Sequence, residues 1–337
     1  MPAGFVAWSV TFVSDRQAYV LGDAPCAQAP CTSLVRTLDG GRSWRGVPAP
    51  RAALLPATGT GDRTPPNAVR ELRFATGQDG YAFGGGLWTT HDGARTWRRV
   101  TGLGVVLDLA TDRHTVYAVT ATCAAGSWSC HDLRLLSSPI SADAFQQVPI
   151  GFPAADHGAG GTVSTAGGTT VARLNGATYV RAGTGGWIRA AEPCQPLGGW
   201  VEPPASGRTL TAFCAEGAAG STYLSVEQSA DLGRHWTPVP GQPVQLANEG
   251  RSHTTTTTAS TRLLAVAWAN PLYGGGLSIT PDGGRTWTRA PLPKIGAGWR
   301  YVGARSATAL VTLADPPAAV LWTSSTAGRT WTPHPIR

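Results

Sequence analysis

The stretch TPDGGRTW at Thr280–Trp287 decides the fold, because variants of it recur along the chain. The related segments are TLDGGRSW at Thr37–Trp44, THDGARTW at Thr90–Trp97, SADLGRHW at Ser229–Trp236 and STAGRTW at Ser325–Trp331. Together they define the pattern Ser/Thr-x-Asp-x-Gly-x-Ser/Thr-Trp. A segment repeated at a regular period predicts an architecture built from copies of one supersecondary unit.

The tryptophan that ends each segment gives the length of the repeating unit. Successive tryptophans are 53, 51 and 44 residues apart, except that 139 residues separate Trp97 from Trp236. Two degenerate units fit into that gap, with Phe145 and Trp187 at the positions of the missing tryptophans. The mean spacing is then about 48 residues, within the ~40–50 residues of a propeller blade, so the chain holds seven units.

Each unit reads as four short strands. Alternating segments such as ELRF at Glu71–Phe74 are followed by polar turns, a second apolar segment, a third that runs into the repeated turn, and a fourth that opens at the tryptophan. Alternation with a period of two and turn residues between the segments predict strands, and no helical period interrupts them. The Thr254–Thr258 run falls where the sixth unit needs its first strand, and β-branched threonine favours strands.

The fold class expected is therefore all-β, a single seven-bladed β-propeller over residues 1–337 with four antiparallel strands per blade. Proline-rich joints follow the fourth strands, and residues 51–66 read as an exposed loop between the first two blades. The expected blades span residues 4–50, 67–101, 104–149, 160–190, 194–240, 251–291 and 298–337.

Composition excludes several classes of protein. Only 14% of the residues are charged, whereas Gly (43), Pro (26) and Trp (13) are abundant, which fits short strands and tight turns and argues against disorder. The net charge of +7 comes from scattered arginines and the single Lys294, with no basic run of the nucleic-acid-binding type. No apolar run reaches the ~18 residues of a membrane span. We expect no nucleic acid partner and no membrane span.

The six cysteines fall into three local pairs: Cys26 with Cys31, Cys123 with Cys130, and Cys194 with Cys214. Six cysteines allow 15 connectivities, and local pairing is the natural one because each pair lies within one repeat. Free buried cysteines or a metal site are the alternatives, but no pair has CxxC spacing. Disulfides imply an oxidising compartment, so we expect a secreted or cell-surface protein. MPAGFVAWSV reads as a strand and not as a signal peptide, which indicates a mature domain with an added start Met.

The residue types of the repeated segment suit a hairpin between the third and fourth strands. The Asp carboxylate accepts hydrogen bonds from the following backbone N–H groups, and the Gly two positions later supplies a positive φ. The tryptophan is expected to bury its ring between neighbouring sheets, with its indole N–H able to find a partner.

In these features the segments resemble the Asp-box, or BNR, repeat of sialidases and related propellers. The chain is similar to secreted BNR-repeat proteins of actinobacterial type and, more distantly, to propellers of the photosystem II assembly-factor sort. The resemblance implies that the boxes are structural and lie away from the active face, and it marks these positions as structural: Asp39, Trp44, Asp92, Trp97, Asp231, Trp236, Asp282, Trp287 and Trp331. Ala94 replaces the box Gly and Thr326 the box Asp, so looser turns are expected there.

An enzyme of this superfamily would be a glycoside hydrolase or lyase. The family's Phe-Arg-Ile-Pro signature is absent, and FVAW stands near the N-terminus instead. Retaining or inverting chemistry needs two acids roughly 5–10 Å apart. Glu71, Asp108 and Glu202 are the acids on expected innermost strands, and each could equally be a solvated rim charge. The seven histidines have no metal-binding spacing, so no metal or cofactor is expected.

A binding protein does not need a pair of catalytic acids, because a propeller already presents a rigid face lined by loops. We therefore expect a non-catalytic, monomeric binding or scaffold protein that recognises a carbohydrate, another polar ligand or a protein partner at the channel face; the glycosidase is the alternative. The polar side chains on or beside expected innermost strands are the candidate ligand-binding residues: Arg70, Glu71, Arg73, Asp108, Glu202, His253 and Arg300.

Overall fold

The chain forms a seven-bladed β-propeller with four antiparallel strands in each blade, as a computed structural model shows. The structure describes residues 1–55, 67–123, 130–153, 160–194, 199–217, 222–241, 244–246, 253–269, 274–315 and 319–337. In every sheet the strands follow one another in chain order, so each blade is a simple meander. The fold class expected from the repeats is confirmed.

The strands of the first four sheets are β1 Val6–Phe12, β2 Ala18–Asp23, β3 Thr32–Thr37, β4 Arg45–Val47, β5 Glu71–Phe74, β6 Gly80–Phe83, β7 Leu87–Thr90, β8 Arg98–Val100, β9 Val105–Thr111, β10 Thr115–Cys123, β11 Cys130–Pro139, β12 Gln146–Gln147, β13 Gly161–Ala166, β14 Thr169–Leu174, β15 Ala177–Ala182 and β16 Ile188–Arg189. Those of the last three are β17 Gly199–Glu202, β18 Leu210–Glu216, β19 Thr222–Ser229, β20 Thr237–Pro238, β21 Val244–Leu246, β22 His253–Thr258, β23 Leu264–Ala269, β24 Gly276–Thr280, β25 Thr288–Arg289, β26 Trp299–Ala304, β27 Leu310–Ala314, β28 Val320–Ser324 and β29 Thr332–Pro335. Strand β21 adds to the fifth sheet by pairing with β19.

Burial follows the position of a strand within its blade. In β5 the residues alternate between partly exposed and buried, as the period of two requires. In the second strands β6 and β23 every residue is buried, because both faces of the sheet are covered. The Thr254–Thr258 run lies within β22, as expected from its β-branched side chains.

Two compact units make up the chain, and each has its own apolar clusters. The first contains Met1–Thr165, Ala172–Ala177 and Ile336–Arg337, and the second contains Ala166–Val171 and Thr178–Pro335. One cluster of the first unit packs Tyr19 of the first sheet against Phe74 of the second, with ring centroids 3.7 Å apart. The expectation of one domain with the blade limits given above stays a prediction.

The repeated segment forms the hairpin between the third and fourth strands. In the first blade Asp39 Oδ1 accepts the N–H of Ser43 at 2.9 Å, and its Oδ2 accepts the Ser43 hydroxyl at 2.6 Å. The Thr37 hydroxyl donates to Asp39 Oδ1 at 2.8 Å and accepts the N–H of Gly41 at 2.9 Å. The Ser43 hydroxyl and N–H, followed by the Thr37 hydroxyl, hold the pKa of Asp39 well below its usual range. The carboxylate is thus fully used by its own turn.

Two consecutive residues of each turn have positive φ, where the sequence pattern indicated one. Four of the five turns have Gly at the second of these positions, and Ala94 stands there in the second blade with φ 67°. Its turn is not looser. Asp92 accepts the N–H of Thr96 at 2.9 Å and its hydroxyl at 2.6 Å, as Asp39 does with Ser43. The Ala94 methyl is fully buried in the cluster around Tyr19 and Phe74, and this packing offsets the cost of the left-handed backbone.

Thr326 also keeps the turn intact in the seventh blade. Its hydroxyl oxygen accepts the N–H of Thr330 at 2.9 Å and lies 2.7 Å from the Thr330 hydroxyl. The Ser324 hydroxyl accepts the N–H of Gly328 at 2.9 Å, so the segment begins at Ser324, one residue before the stretch first recognised. The expected loosening is therefore absent here too, because one hydroxyl oxygen takes over part of the work of two carboxylate oxygens.

Trp97 and Trp236 pack between their own sheet and the preceding one. Trp97 lies edge-on to Phe74 and donates its indole N–H to the Pro48 carbonyl at 2.9 Å, in the joint after β4. Trp236 does the same with the Ala191 carbonyl after β16, also at 2.9 Å. In the two degenerate blades, Phe145 directly precedes β12 and Trp187 directly precedes β16, the positions that the spacing gave them.

The segment before the second sheet is less exposed than expected. Ala52 is buried in the cluster around Tyr19, and Leu54 forms a parallel bridge with Val69. The residues around Leu54 thus pair in parallel with Val69, just before β5, and their apolar side chains explain the burial. Residues 56–66 of the expected loop lie outside the described residues.

All three expected disulfides are present: Cys26–Cys31, Cys123–Cys130 and Cys194–Cys214. Cys194 and Cys214 are buried within an apolar cluster that also contains Val171 and Leu210. The described residues contain no helix that could span a membrane.

Candidate functional site

Glu71 and Arg73 form an ion pair on β5. Leu72 and Phe74 are buried, so Glu71 and Arg73, which alternate with them, share the opposite, partly exposed face. Arg73 Nη2 lies 2.8 Å from Glu71 Oε2, and the two side chains are 31% and 41% exposed. The Arg73 guanidinium also donates to the Leu72 carbonyl at 2.9 Å and lies 5.5 Å from the centroid of the Phe83 ring. The structure thus brings together two of the candidate residues.

Asp108 lies on β9, and its pKa depends on the charges of both residues. Burial, followed by the charge of Glu71, raises the pKa of Asp108 to about 7, although Arg73 and two backbone N–H groups oppose the shift. Those N–H groups are Leu109, which donates to Oδ1 at 2.8 Å, and Val163, which donates to Oδ2 at 2.8 Å. Glu71, Arg73 and Asp108 therefore form one electrostatic cluster.

The bond between Asp108 and Val163 also has a structural role. Val163 belongs to β13 of the next sheet, so the carboxylate links two blades. The hydroxyls of Ser9 and Thr11 on β1 do the same when they accept the N–H groups of Leu72 and Phe74, each at 3.1 Å. Side chains of first strands thus hydrogen-bond to the backbone of the next blade, and Asp108 is one of them.

Arg70 directly precedes β5. Its backbone N–H donates to the Phe83 carbonyl at 2.6 Å, but its guanidinium makes no hydrogen bond or ion pair with any described residue, and its Nε is buried. Gly84 makes this position possible, since at φ 113° an added Cβ would lie 2.6 Å from the Cβ of Arg70. A guanidinium has five N–H donors, and a buried donor without a partner costs free energy. Arg70 is therefore a cation available to an anionic group.

The candidates of the second unit occupy different settings. Glu202 on β17 accepts a hydrogen bond from the hydroxyl of Thr256 on β22 at 3.2 Å, so this side chain also links two neighbouring blades. Arg300 is 5% exposed and pairs with Asp315 at 2.8 Å; burial lowers its pKa, and Asp315 counteracts this. Arg300 is thus a core residue. His253 begins β22, opposite Ala269, and its side chain lies outside the described residues.

A second polar cluster was not found from the sequence. His91, the second residue of the repeat in the second blade, lies between Asp79 and Asp143, with Nδ1 2.8 Å from Asp79 Oδ1 and Nε2 3.3 Å from Asp143 Oδ2. In the sequence His91 is one residue of a turn, Asp79 is a turn acid, and Asp143 lies 52 residues beyond His91 in a degenerate repeat. His91 and Asp143 could have been paired only by placing the turns of the second and third repeats side by side.

Metal binding finds no support in the described ranges, where no group of three or more His, Cys, Asp or Glu side chains could hold a metal ion. The repeat aspartates are engaged in hydrogen bonds within their own turns. The candidate residues of the first unit are Arg70, directly before β5, Glu71 and Arg73 on β5, and Asp108 on β9; they are hereafter called the β5–β9 cluster.

Comparison with known proteins links this chain to others by fold. No protein-family model matches it, and no curated protein matches it. A structure of YCF48 bound to D1 peptide is 14% identical, with a TM-score of 0.56 over 94% of this chain and 92% of that one. YCF48 from Cyanidioschyzon merolae is 13% identical, with a TM-score of 0.55 over 94% of both chains. The likeness is one of fold.

A GH74 xyloglucanase from Xanthomonas campestris also matches, at 14% identity over 97% of this chain and 72% of the xyloglucanase. Its TM-score is 0.32, which is too low to support any inference. At these identities the two YCF48 structures support the seven-bladed propeller, and the Asp-box family stays a resemblance.

Proposed function

We propose that this protein is a binding propeller without catalytic activity, which holds an acidic segment of a polypeptide partner against the β5–β9 cluster. The observation that carries the proposal is Arg70, whose guanidinium has a buried Nε and no partner among the described residues. An Arg guanidinium binds a carboxylate through two parallel N–H···O bonds, a geometry that favours Asp and Glu side chains.

The Glu71–Arg73 pair, which follows Arg70 in the sequence, suits a polypeptide. The Glu71–Arg73 pair is partly exposed and offers both an acceptor and donors, which can bind backbone N–H and C=O groups of an extended segment. One of the structures with a similar fold is YCF48 bound to D1 peptide, which supports a peptide as the class of ligand. A neutral carbohydrate would satisfy Glu71 and Arg73 but would leave Arg70 without an anion.

A glycoside hydrolase is the second candidate, because the pKa of Asp108 is raised to about 7 and Glu71 contributes to that shift. An acid that is protonated near neutral pH beside a second carboxylate is the arrangement of a general acid. Against this, both oxygens of Asp108 already accept backbone N–H groups, and Glu71 is paired with Arg73. Binding therefore explains more of the cluster than catalysis does.

Titration with two labelled peptides tests the binding proposal. The first alternates aspartate with glycine, and the second has asparagine in place of aspartate. We expect Arg70→Gln to weaken binding of the aspartate peptide by about 10- to 100-fold, the value of a hydrogen bond to a charged group, and to leave the weak binding of the asparagine peptide unchanged. The control is Arg45→Gln, on the exposed outer strand β4. Equal affinity of the wild type and Arg70→Gln for the aspartate peptide would refute the proposal.

A panel of chromogenic glycosides tests the hydrolase. We expect no turnover by the wild type. Turnover that is lost in Glu71→Gln and retained in Arg45→Gln would replace the binding proposal with the enzymatic one.

Three further properties belong to the proposal: an extracytoplasmic location, a monomeric state and function without a cofactor. The three disulfides support the location, because such bonds persist in oxidising compartments. Thiol titration of the unfolded protein without reductant, and the mass in solution, test the first two. Six free thiols or a stable dimer would contradict them.

A further inference from the structure

His91 joins two sheets of the first unit through both of its ring nitrogens. Asp79 lies in the turn between β5 and β6 of the second sheet, and Asp143 lies between β11 and β12 of the third. The distances are 2.8 Å from Nδ1 to Asp79 and 3.3 Å from Nε2 to Asp143. The imidazole therefore bridges the two blades at its own position.

This arrangement favours a charged ring. A neutral imidazole has one N–H donor and one nitrogen that only accepts, whereas an ionised carboxylate only accepts. With a carboxylate oxygen 2.8 Å from one nitrogen and 3.3 Å from the other, the ring that carries a proton on both nitrogens suits both contacts. The environment agrees: burial lowers the pKa of His91, but the hydrogen bonds and charges of Asp79 and Asp143 outweigh this and raise it.

Of the two contacts that His91 makes, the one with Asp143 is expected to change when the ring loses a proton. The Asp143 side chain is 2% exposed, and its Oδ2 also accepts Thr89 at 2.8 Å and Arg98 at 2.6 Å. Its Oδ1 is buried without a partner among the described residues. Tyr81 stays protonated, because burial followed by the charges of Asp79 and Asp143 raises its pKa. Among the described residues, Arg98 is the permanent cation in contact with Asp143.

We propose that His91 is a pH-sensitive clasp between the second and third blades, closed while the ring is charged and open at the Asp143 contact once it is neutral. The neutral ring keeps its single N–H on Asp79, at the shorter distance. The bare Nε2 then faces a carboxylate oxygen, and the two lone pairs repel. The segment of residues 140–145, which carries Asp143, then loses one of its contacts with the second blade and is held by the bonds of Thr89 and Arg98 to Asp143 and of Tyr81 to the Ile140 carbonyl.

The direction of the pH dependence follows from the raised pKa. A histidine whose folded-state pKa lies above its unfolded value of about 6.5 contributes its full stabilisation below pH 6.5. The contribution is lost as the pH rises through the folded-state pKa. The clasp is therefore closed below pH 6.5 and opens as the pH rises through the raised folded-state pKa.

Nuclear magnetic resonance of the ¹⁵N-histidine-labelled protein tests the clasp. We expect His91 to titrate above pH 6.5 with protons on both nitrogens below its midpoint, and we expect Asp143→Asn to lower that midpoint. The control is His235, which lies in the same turn of the fifth blade but contacts one carboxylate, Asp231, with an 87% exposed ring. Titration of His91 at or below pH 6.5 would overturn the proposal.

Hydrogen exchange of the Ala144 amide reports the opening. This N–H is bonded to the Ser138 hydroxyl at 2.9 Å within the segment that the clasp holds. Between pH 6 and 9 we expect the exchange rate of the wild type to rise about three- to tenfold more than that of His91→Gln, whose clasp is always open. The variant His235→Gln should behave as the wild type. Equal rises in the wild type and His91→Gln would refute the clasp.

Discussion

At the scale of single residues, the repeated turn depends on how many acceptor oxygens its third position supplies. Asp39 and Asp282 each use separate oxygens for the N–H and the hydroxyl of the residue four positions later. Thr326 has one oxygen for both tasks. The threonine turn therefore has the right backbone but a weaker, uncharged set of hydrogen bonds.

Thr326→Asp should consequently stabilise the protein. The new carboxylate would accept the Thr330 N–H on one oxygen and the hydroxyl on the other. Because the hydrogen bonds of these turns lower the pKa of Asp39 and Asp282, the gain is present above about pH 4 and is lost as the pH falls through the lowered folded-state pKa. We expect the melting temperature to rise at pH 7 and the gain over the wild type to shrink as the pH is lowered below about 4, as measured by circular dichroism.

Thr326→Asn is the matched control, since it has the same shape with one acceptor and no charge. It should give a smaller gain that does not depend on pH. A Thr326→Asp variant that melts below the wild type at pH 7 would show that the turn does not use the second oxygen.

At the scale of structural elements, the disulfides differ in what they restrain. Cys194–Cys214 closes a separation of 20 residues and ties the segment before β17 to β18, whereas Cys26–Cys31 closes 5 residues in an exposed loop. The entropy that a disulfide removes from the unfolded chain grows with the length of the loop it closes.

Replacing both cysteines of a pair by alanine should destabilise the protein more for the disulfide that closes the longer loop. The Cys194 and Cys214 double variant should lose about 3 kcal/mol of unfolding free energy, and the Cys26 and Cys31 double variant about 2 kcal/mol. The buried position of the first pair adds to its loss, because its sulfurs pack in an apolar cluster. Urea unfolding measures both values. A larger loss for the exposed pair would contradict the loop argument.

The elements that the sequence predicts well are those set by nearby residues. The hairpin at Thr280–Trp287 is fixed by contacts within eight residues, so its position could be read directly, as could Phe145 and Trp187 from their spacing. The His91 clasp could not, because it depends on which turn of the next blade lies beside His91. Arg70 was named as a candidate, but its lack of a partner is a property of the packed sheets and not of its neighbours in sequence.

At the scale of the whole molecule, the net charge of +7 favours acidic partners. Opposite charges speed the encounter of two molecules, and dissolved salt screens this attraction beyond a Debye length of about 10 Å at 0.1 M. The scattered arginines thus add a long-range attraction to the local contact at Arg70.

Raising the salt concentration from about 0.05 to 0.5 M should therefore slow association of the aspartate peptide by about tenfold, with a smaller change in its dissociation rate. Stopped-flow fluorescence measures both rates. The asparagine peptide is the control and should associate at a rate that salt leaves unchanged. An association rate independent of salt for the aspartate peptide would argue against an electrostatic partner.

The indole bonds of Trp97 and Trp236 have a consequence for how such a chain can evolve. Each tryptophan donates to the carbonyl in the joint just before its own blade, at 2.9 Å in both cases. A gene segment that encodes one blade with its joint thus carries both halves of the contact, the donor for the blade before and the acceptor for the blade after. Duplication of such a segment yields neighbours that already fit, and later drift, as at Phe145, can remove the donor once packing suffices.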